Sequence, residues 1–286
     1  MALFPKYGCI KSIKKTNMGN TKYVHGYSER EALRLNDQAA TLDDIIHSDS
    51  IFPKNSFVLE AGCGVGAQTK IISTKNSDSN FISVDLSEDS ISEAKGMIES
   101  LGIKNVELKQ ADIYNLPFKD ETFDSVIICF VLEHLHNPIQ ALNELKRVLK
   151  KGGTMVAIEG DHGSTFFYPD SKYAYSAINC LIQLQKQSGG NSNIGRELYP
   201  LFKSIELSDI SVSPRMVYVD ASRPHLVEGF IKNTFIAMIE GVGEKAIQQR
   251  IEDSATFEQG IKDLYRTSES DGVFSYTFFK GFGTKK

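Results

Sequence analysis

The chain has 286 residues, 41% of them hydrophobic, with a formal net charge of −4 and a pI near 5.9. This length suffices for one α/β core with insertions, and the charge balance lacks the basic footprint of a nucleic-acid-binding protein. No apolar run approaches the roughly 20 residues that span a bilayer, and Cys9, Cys63, Cys129 and Cys180 lack metal-ligand spacing, as expected of free thiols in a reducing, cytoplasmic compartment.

Residues 1–22, where Lys6, Lys11, Lys14 and Lys15 interrupt short apolar patches, lack a secretory core segment and are expected to form a flexible tail. Residues 23–286 are expected to form a single domain opening with a lid over 23–47. There Tyr23-Val-His-Gly-Tyr27 precedes Ser28-Glu-Arg-Glu31, a capping box for a helix carrying Leu33, Leu35 and Ala39. Arg34 and Gln38 lie one turn apart on that helix.

Phe57 to Gln68 then reads as a strand breaking into a turn with glycines at 62, 64 and 66. These glycines let a ligand approach the main chain without meeting a Cβ atom. Glu60 argues against a pyrophosphate, which a carboxylate aimed at that space repels, and the spacing is G-x-G-x-G in place of G-x-G-x-x-G. A phosphate-free cofactor with some positive charge is expected. Phe81 to Asp85 is a second apolar run ending in a carboxylate, placed to accept from both hydroxyls of a ribose, with Leu86 able to pack on an adenine face. Ser87 caps the next helix, whose apolar face is Ile91, Ala94, Met97, Ile98 and Leu101. Val106 to Asp112 ends in a third carboxylate, suited to an exocyclic adenine amine or to turn formation, with Ile113 as a second wall for the base. Three acidic groups around one crevice suit S-adenosylmethionine, whose net charge is positive, and suit NAD poorly.

Val126 to Phe130 and Thr154 to Ile158 are continuous apolar runs, as expected of central parallel strands. Phe130 at the end of the first run has a backbone carbonyl placed for the cofactor ammonium. Between them Asn137 caps a helix with Pro138 in its first turn and Ile139, Leu142, Leu145 and Leu149 inward. After the second run come Glu159, Asp161 and His162, at the face where open α/β sheets bind ligands. Of these His162 is the best proton acceptor for substrate chemistry. Helical insertions follow at about 163–207 and 221–270, separated by a strand over Ser208 to Val219 that pairs antiparallel with a final strand over Val273 to Phe279.

Val58-Leu-Glu-Ala-Gly-Cys-Gly-Val-Gly66, Val84 to Ser87, Ala111 to Ile113, Leu116-Pro-Phe118, Phe123-Asp124 through His134, and Leu149 to Gly153 resemble the ordered motifs of class I S-adenosylmethionine-dependent methyltransferases. The resemblance is greatest to the ubiquinone and menaquinone biosynthesis branch, over about residues 23–160. It implies an α/β, Rossmann-like, doubly wound and mostly parallel seven-stranded sheet with helical substrate-cap insertions. It implies a cofactor site drawn from Glu60, Gly62, Gly64, Gly66, Asp85, Leu86, Asp112, Ile113 and Phe130. Tyr27 and Gln38 are further candidates from the lid, the former by cation–π attraction to the sulfonium, although packing on the core explains these residues equally well. Similar ubiquinone O-methyltransferases place an acidic residue three positions before the Glu133-His134 pair to complete a metal site. Phe130 stands there in this chain, so no metal is expected. His134 is then a second candidate base.

The expected reaction is methyl transfer from S-adenosylmethionine to a small, partly apolar acceptor by in-line displacement. Aminopropyl transfer on the same fold, or cofactor binding without turnover, are the alternatives. A small-molecule acceptor is the expected partner; nucleic acid and stable membrane insertion are not expected, and homodimerisation is left open.

Overall fold

The computed structural model describes residues 29–286, with side chains described from residue 34. The tail, Tyr27 and the Ser28 cap therefore lie outside the described residues. Helix α1 (Glu29–Ile46) leads into β1 (Phe57–Ala61), α2 (Thr69–Lys75), β2 (Asn80–Asp85), α3 (Glu88–Ser100), β3 (Val106–Gln110) and β4 (Phe123–Cys129). After a 3-10 turn at Leu132–His134 come α4 (Pro138–Val148), β5 (Leu149–Tyr168) and α5 (Lys172–Gln187). A second 3-10 turn (Ile194–Glu197), α6 (Leu198–Ser204) and β6 (Ser208–Val219) follow. The next stretch is α-helical at α7 (Pro224–Leu226), π-helical over Val227–Ile236 and α-helical again at α8 (Ala237–Glu240). Helices α9 (Gly243–Gln248) and α10 (Ser254–Arg266) and strand β7 (Val273–Thr284) close the chain.

The seven strands run in the order β3-β2-β1-β4-β5-β7-β6. The first five are parallel, and β7 pairs antiparallel with β5 and β6. This is the doubly wound sheet expected from the alternation of apolar runs and capped helices. Both predicted caps form: Ser87 accepts from the Ser90 N–H, and Asn137 accepts from the Gln140 N–H with Pro138 in the first turn. Alternate residues of the strands supply the two cores. Val58, Ile127, Val156 and Phe278 face α1, α5 and the π-helix. Leu59, Val126, Met155 and Ala157 face α4 and α6.

Three details differ from the sequence expectation. Strand β5 does not end at Ile158 but runs to Tyr168, pairing with β7 as far as Val273 across an irregularity between Asp161 and Phe166. Phe167 explains the extension, being buried against Phe274 on the partner strand. Leu101 and Ile139, assigned to helix faces, are 57% and 43% exposed, since the one follows the last turn of α3 and the other sits in the first turn of α4. Leu149 opens β5 and does not extend α4.

A charged group fastens α1 to the sheet. Lys280 projects from β7 with no exposed surface and donates from Nζ to the Ile46 carbonyl at 3.0 Å, Asp49 Oδ1 at 2.6 Å and Ser50 Oγ at 2.7 Å. Ser50 Oγ lies 2.8 Å from His47 Nδ1, and His47 Nε2 lies 2.7 Å from Gln68 Oε1, just before α2. Burial lowers the His47 pKa to about 4, so the ring is neutral and carries a single proton along this chain. Removing the ammonium strands the Ile46 carbonyl in the interior and leaves Ser50 Oγ with His47 alone. Lys280→Met is therefore expected to lower the unfolding free energy by about 2–3 kcal/mol, measured by urea denaturation; an unchanged midpoint would show the network to be incidental.

Candidate active site

The carboxyl ends of β1, β2 and β3 meet at the glycine turn. The N–H groups of Gly62 and Cys63 both donate to the Val84 carbonyl, at 2.7 and 2.9 Å, which folds the turn against β2. Gly62 has a φ of 75°, and a Cβ there would lie 2.4 Å from Val131 Cγ2. Both the backbone and the space exclude a side chain at this point. Gly64 and Gly66 continue the turn, also at positive φ.

The three acidic residues are placed around it in different environments. Glu60 is 2% exposed, and its Oε2 accepts from Thr69 Oγ1 at 2.7 Å and Ser83 Oγ at 2.6 Å, binding β1 to α2 and β2. Burial outweighs these bonds and raises its pKa to about 7. Asp85 accepts from the Gly64 N–H through Oδ2 at 2.8 Å and from the Ser87 N–H through Oδ1 at 2.9 Å. It thus holds the glycine turn and the start of α3 at once. Beside it Leu86 is 47% exposed. Asp112 accepts from the Tyr114 N–H at 2.9 Å and half-buried Ile113 adjoins it.

The ends of β4 and β5 build a second region. Phe130 has a φ of 58°, unusual for a residue with a side chain and costing about 1–2 kcal/mol. Its N–H donates to the Ile158 carbonyl at 2.9 Å. Glu159, fully buried, accepts through Oε1 from the N–H groups of Val131 at 3.0 Å and Leu132 at 2.8 Å, shaping the turn that presents Glu133 and His134. Asp161 makes a two-pronged ion pair with Arg196, Nε to Oδ2 at 2.8 Å and Nη2 to Oδ1 at 2.6 Å. Of the three polar residues after Ile158, only His162 lines a cavity; Glu159 and Asp161 are engaged in structure.

That cavity is walled by Phe130, Phe230, Phe235, Met238 and Phe278, with Arg34, Gln38, Glu133, His134, His162 and Tyr276 as its polar lining. Gln38 accepts from Arg34 Nη1 at 3.1 Å. Gln185 Nε2 lies 3.1 Å from Glu133 Oε2 and 3.3 Å from His134 Nδ1. Burial raises the Glu133 pKa and lowers that of His162. Among the described residues no group of three or more His, Cys, Asp or Glu side chains is placed to hold a metal ion.

A model of the methyltransferase-domain family matches residues 53–203, just over half of the chain and the whole region from the loop before β1 through α6. The chain belongs to the class I S-adenosylmethionine-dependent methyltransferases. It is 30% identical over 229 residues to an uncharacterized 37.1 kDa protein in a transposon of Streptomyces fradiae, covering 75% of the chain and 65% of that protein. It is 33% identical over 105 residues to a demethylmenaquinone methyltransferase of Bacillus cereus, covering 36% of the chain and 44% of that enzyme. The chain thus spans less than two thirds of the length of these curated relatives. Among solved structures, the YcgJ protein of Bacillus subtilis superposes with a TM-score of 0.54 at 18% identity, covering 89% of this chain and 99% of that one, a likeness of fold.

The sequence singled out both histidines of this cavity but not Tyr276, Phe230, Phe235 or Met238 as lining. The alternation of Phe274, Tyr276 and Phe278 along β7 was the available signal, since it sets one hydroxyl on an otherwise apolar face. Glu60 yields a pH test. Its carboxyl ionises near 4.5 when unfolded and near 7 when folded, so its contribution is fully present below pH 4.5 and lost as pH rises through 7. Glu60→Gln is expected to flatten the loss of stability between pH 5 and 8 by up to about 3 kcal/mol. Denaturation midpoints of both proteins across this range check it; parallel profiles would overturn the assignment.

Proposed function

We propose that this chain transfers a methyl group from S-adenosylmethionine to a small, partly apolar acceptor. The observation that carries this reading is the gathering of Glu60, Asp85 and Asp112 at three adjacent strand ends around one glycine turn, beside an aromatic cavity at the ends of β4 and β5. A carboxylate offers about four lone-pair sites. Asp85 uses one for Gly64 and one for Ser87, leaving two for the paired hydroxyls of a ribose. Asp112 Oδ1 is engaged by Tyr114, which leaves Oδ2 for an adenine amine, with Leu86 and Ile113 flanking the base. The turn at Gly62, Gly64 and Gly66 gives the methionine portion access to the main chain, and the Phe130 carbonyl is the proposed acceptor for its ammonium. Glu60, beneath the turn, ties β1 to α2 and β2 through Thr69 and Ser83. Tyr27 and Gln38 remain proposed contacts from the lid.

When bound, S-adenosylmethionine supplies an electrophilic methyl carbon. The chain's part is alignment, which lowers such barriers by up to roughly 7–11 kcal/mol, and exclusion of water by α1, the π-helix and the aromatic walls. His134 and His162 border the acceptor space and are the proposed groups in contact with it. A base is required only if the acceptor's own proton is poorly acidic. The domain boundaries follow the same reading: one methyltransferase domain from residue 23, with α1 as lid and the segments between β5 and β7 as cap.

Calorimetry with S-adenosylmethionine and S-adenosylhomocysteine tests the cofactor site. Asp85→Ala is expected to weaken both at least tenfold, by loss of charge-assisted hydrogen bonds worth about 1.5–3 kcal/mol each. Equal affinity would place the ribose elsewhere. Release of S-adenosylhomocysteine with candidate acceptors separates turnover from binding alone.

A further inference from the structure

One buried polar atom on a residue that lines the cavity has no partner. His162 is 5% exposed, its Nδ1 lies 2.8 Å from the Tyr276 hydroxyl, and its Nε2 is buried without a hydrogen bond. The location of its proton follows from counting hydrogens. Burial holds the imidazole below its ordinary pKa, so near pH 7 it carries one ring proton. Tyr276, 2% exposed, has one hydroxyl hydrogen, and His162 Nδ1 is the acceptor in reach. If Nδ1 instead carried the proton and donated, the tyrosine hydrogen would be buried without an acceptor, at a cost of about 1–3 kcal/mol. Tyr276 therefore donates, Nδ1 accepts, and the proton of His162 sits on Nε2.

The backbone is shaped around this arrangement. A Cβ on Gly160 would lie 2.4 Å from the Tyr276 hydroxyl oxygen, so the absence of a side chain there leaves the space the hydroxyl occupies. The His162 ring packs against Tyr276 and Phe235, with centroids 5.6 and 6.2 Å away, which fixes its plane. Glu133, His134 and Arg34 are the charged and titratable groups facing it.

We infer that Tyr276 locks His162 as an Nε2–H donor into the cavity, where it donates to an oxygen of the acceptor substrate. The inference rests on the methyltransferase reading and assigns His162 recognition of the substrate in place of proton removal. A protonated amine has no lone pair for Nε2–H and is excluded at this contact. The rings of Phe130, Phe230, Phe235 and Phe278 supply apolar walls around this contact.

Nuclear magnetic resonance of the histidine-labelled full chain, saturated with S-adenosylhomocysteine, reads the tautomer directly, with His162→Leu identifying the signal. Nε2–H is expected at pH 7, and Tyr276→Phe is expected to shift the ring toward a mixture of tautomers. An Nδ1–H ring, a doubly protonated ring, or no change in Tyr276→Phe overturns the inference. Acetophenone is then compared with α-methylstyrene, of the same shape but lacking the oxygen, and with 1-phenylethylamine. Acetophenone is expected to bind about tenfold tighter than the hydrocarbon, the worth of one hydrogen bond, to move the Nε2–H resonance, and to lose this preference in His162→Leu. Equal binding of the two, absence of acetophenone binding, or preference for the amine overturns it. Failure of S-adenosylhomocysteine to bind overturns the methyltransferase reading separately, because the tautomer is measurable in the protein alone.

Discussion

The turn after β4 is held by one buried carboxyl group. Glu159 extends from β5 into the end of the sheet and takes two successive N–H groups, those of Val131 and Leu132, that would otherwise be orphaned in the interior. Burial and the neighbouring Glu133 raise its pKa well above the ordinary carboxyl value. Everything at the centre of the site follows from this clamp. It permits the left-handed Phe130 backbone, puts Val131 against the bare Gly62, and delivers Glu133 and His134 to the cavity from a turn too short to position itself. The glycine turn and the aromatic cavity are thereby joined at one junction.

The cavity also depends on two strands continuing beyond the parallel core. β5 and β7 stay paired from Thr154 and Thr284 to Tyr168 and Val273. The extra length carries Tyr276 and Phe278 over the end of β4, where α1 and the π-helix close from the opposite side. A π-helical run of ten residues is rare and is found most often at functional sites. Here its buried face is Val227, Phe230, Ile231, Thr234, Phe235 and Ile236. Phe230 and Phe235, both on that buried face, reach the cavity.

Much of the fold was legible because its signals are local. Glycines at 62, 64 and 66, the caps at Ser87 and Asn137, and continuous apolar runs at β4 and β5 each state their conformation within a few residues. What stayed hidden depends on partners distant in sequence. The length of β5 is set by Phe274, more than a hundred residues after Phe167. The environment of Glu60 is set by Thr69 and Ser83, which turn a residue readable as cofactor-facing into one hydrogen-bonded to the core. For the site, the acidic strand ends and both histidines could be found by eye. The aromatic walls could not, because Phe230 and Phe235 belong to a segment whose apolar residues read equally well as ordinary core.

The close approach of Gly160 and Tyr276 has a consequence for how the family can diversify. The two positions draw on one small volume: a methyl at 160 and a hydroxyl at 276 cannot coexist without displacing the strand pair. In homologous chains an alanine at the first place should travel with phenylalanine at the second, and wherever that exchange has occurred the histidine loses its instructor. Relatives can thus be sorted by these two letters into those that keep a buried hydroxyl beside the histidine and those that have lost it.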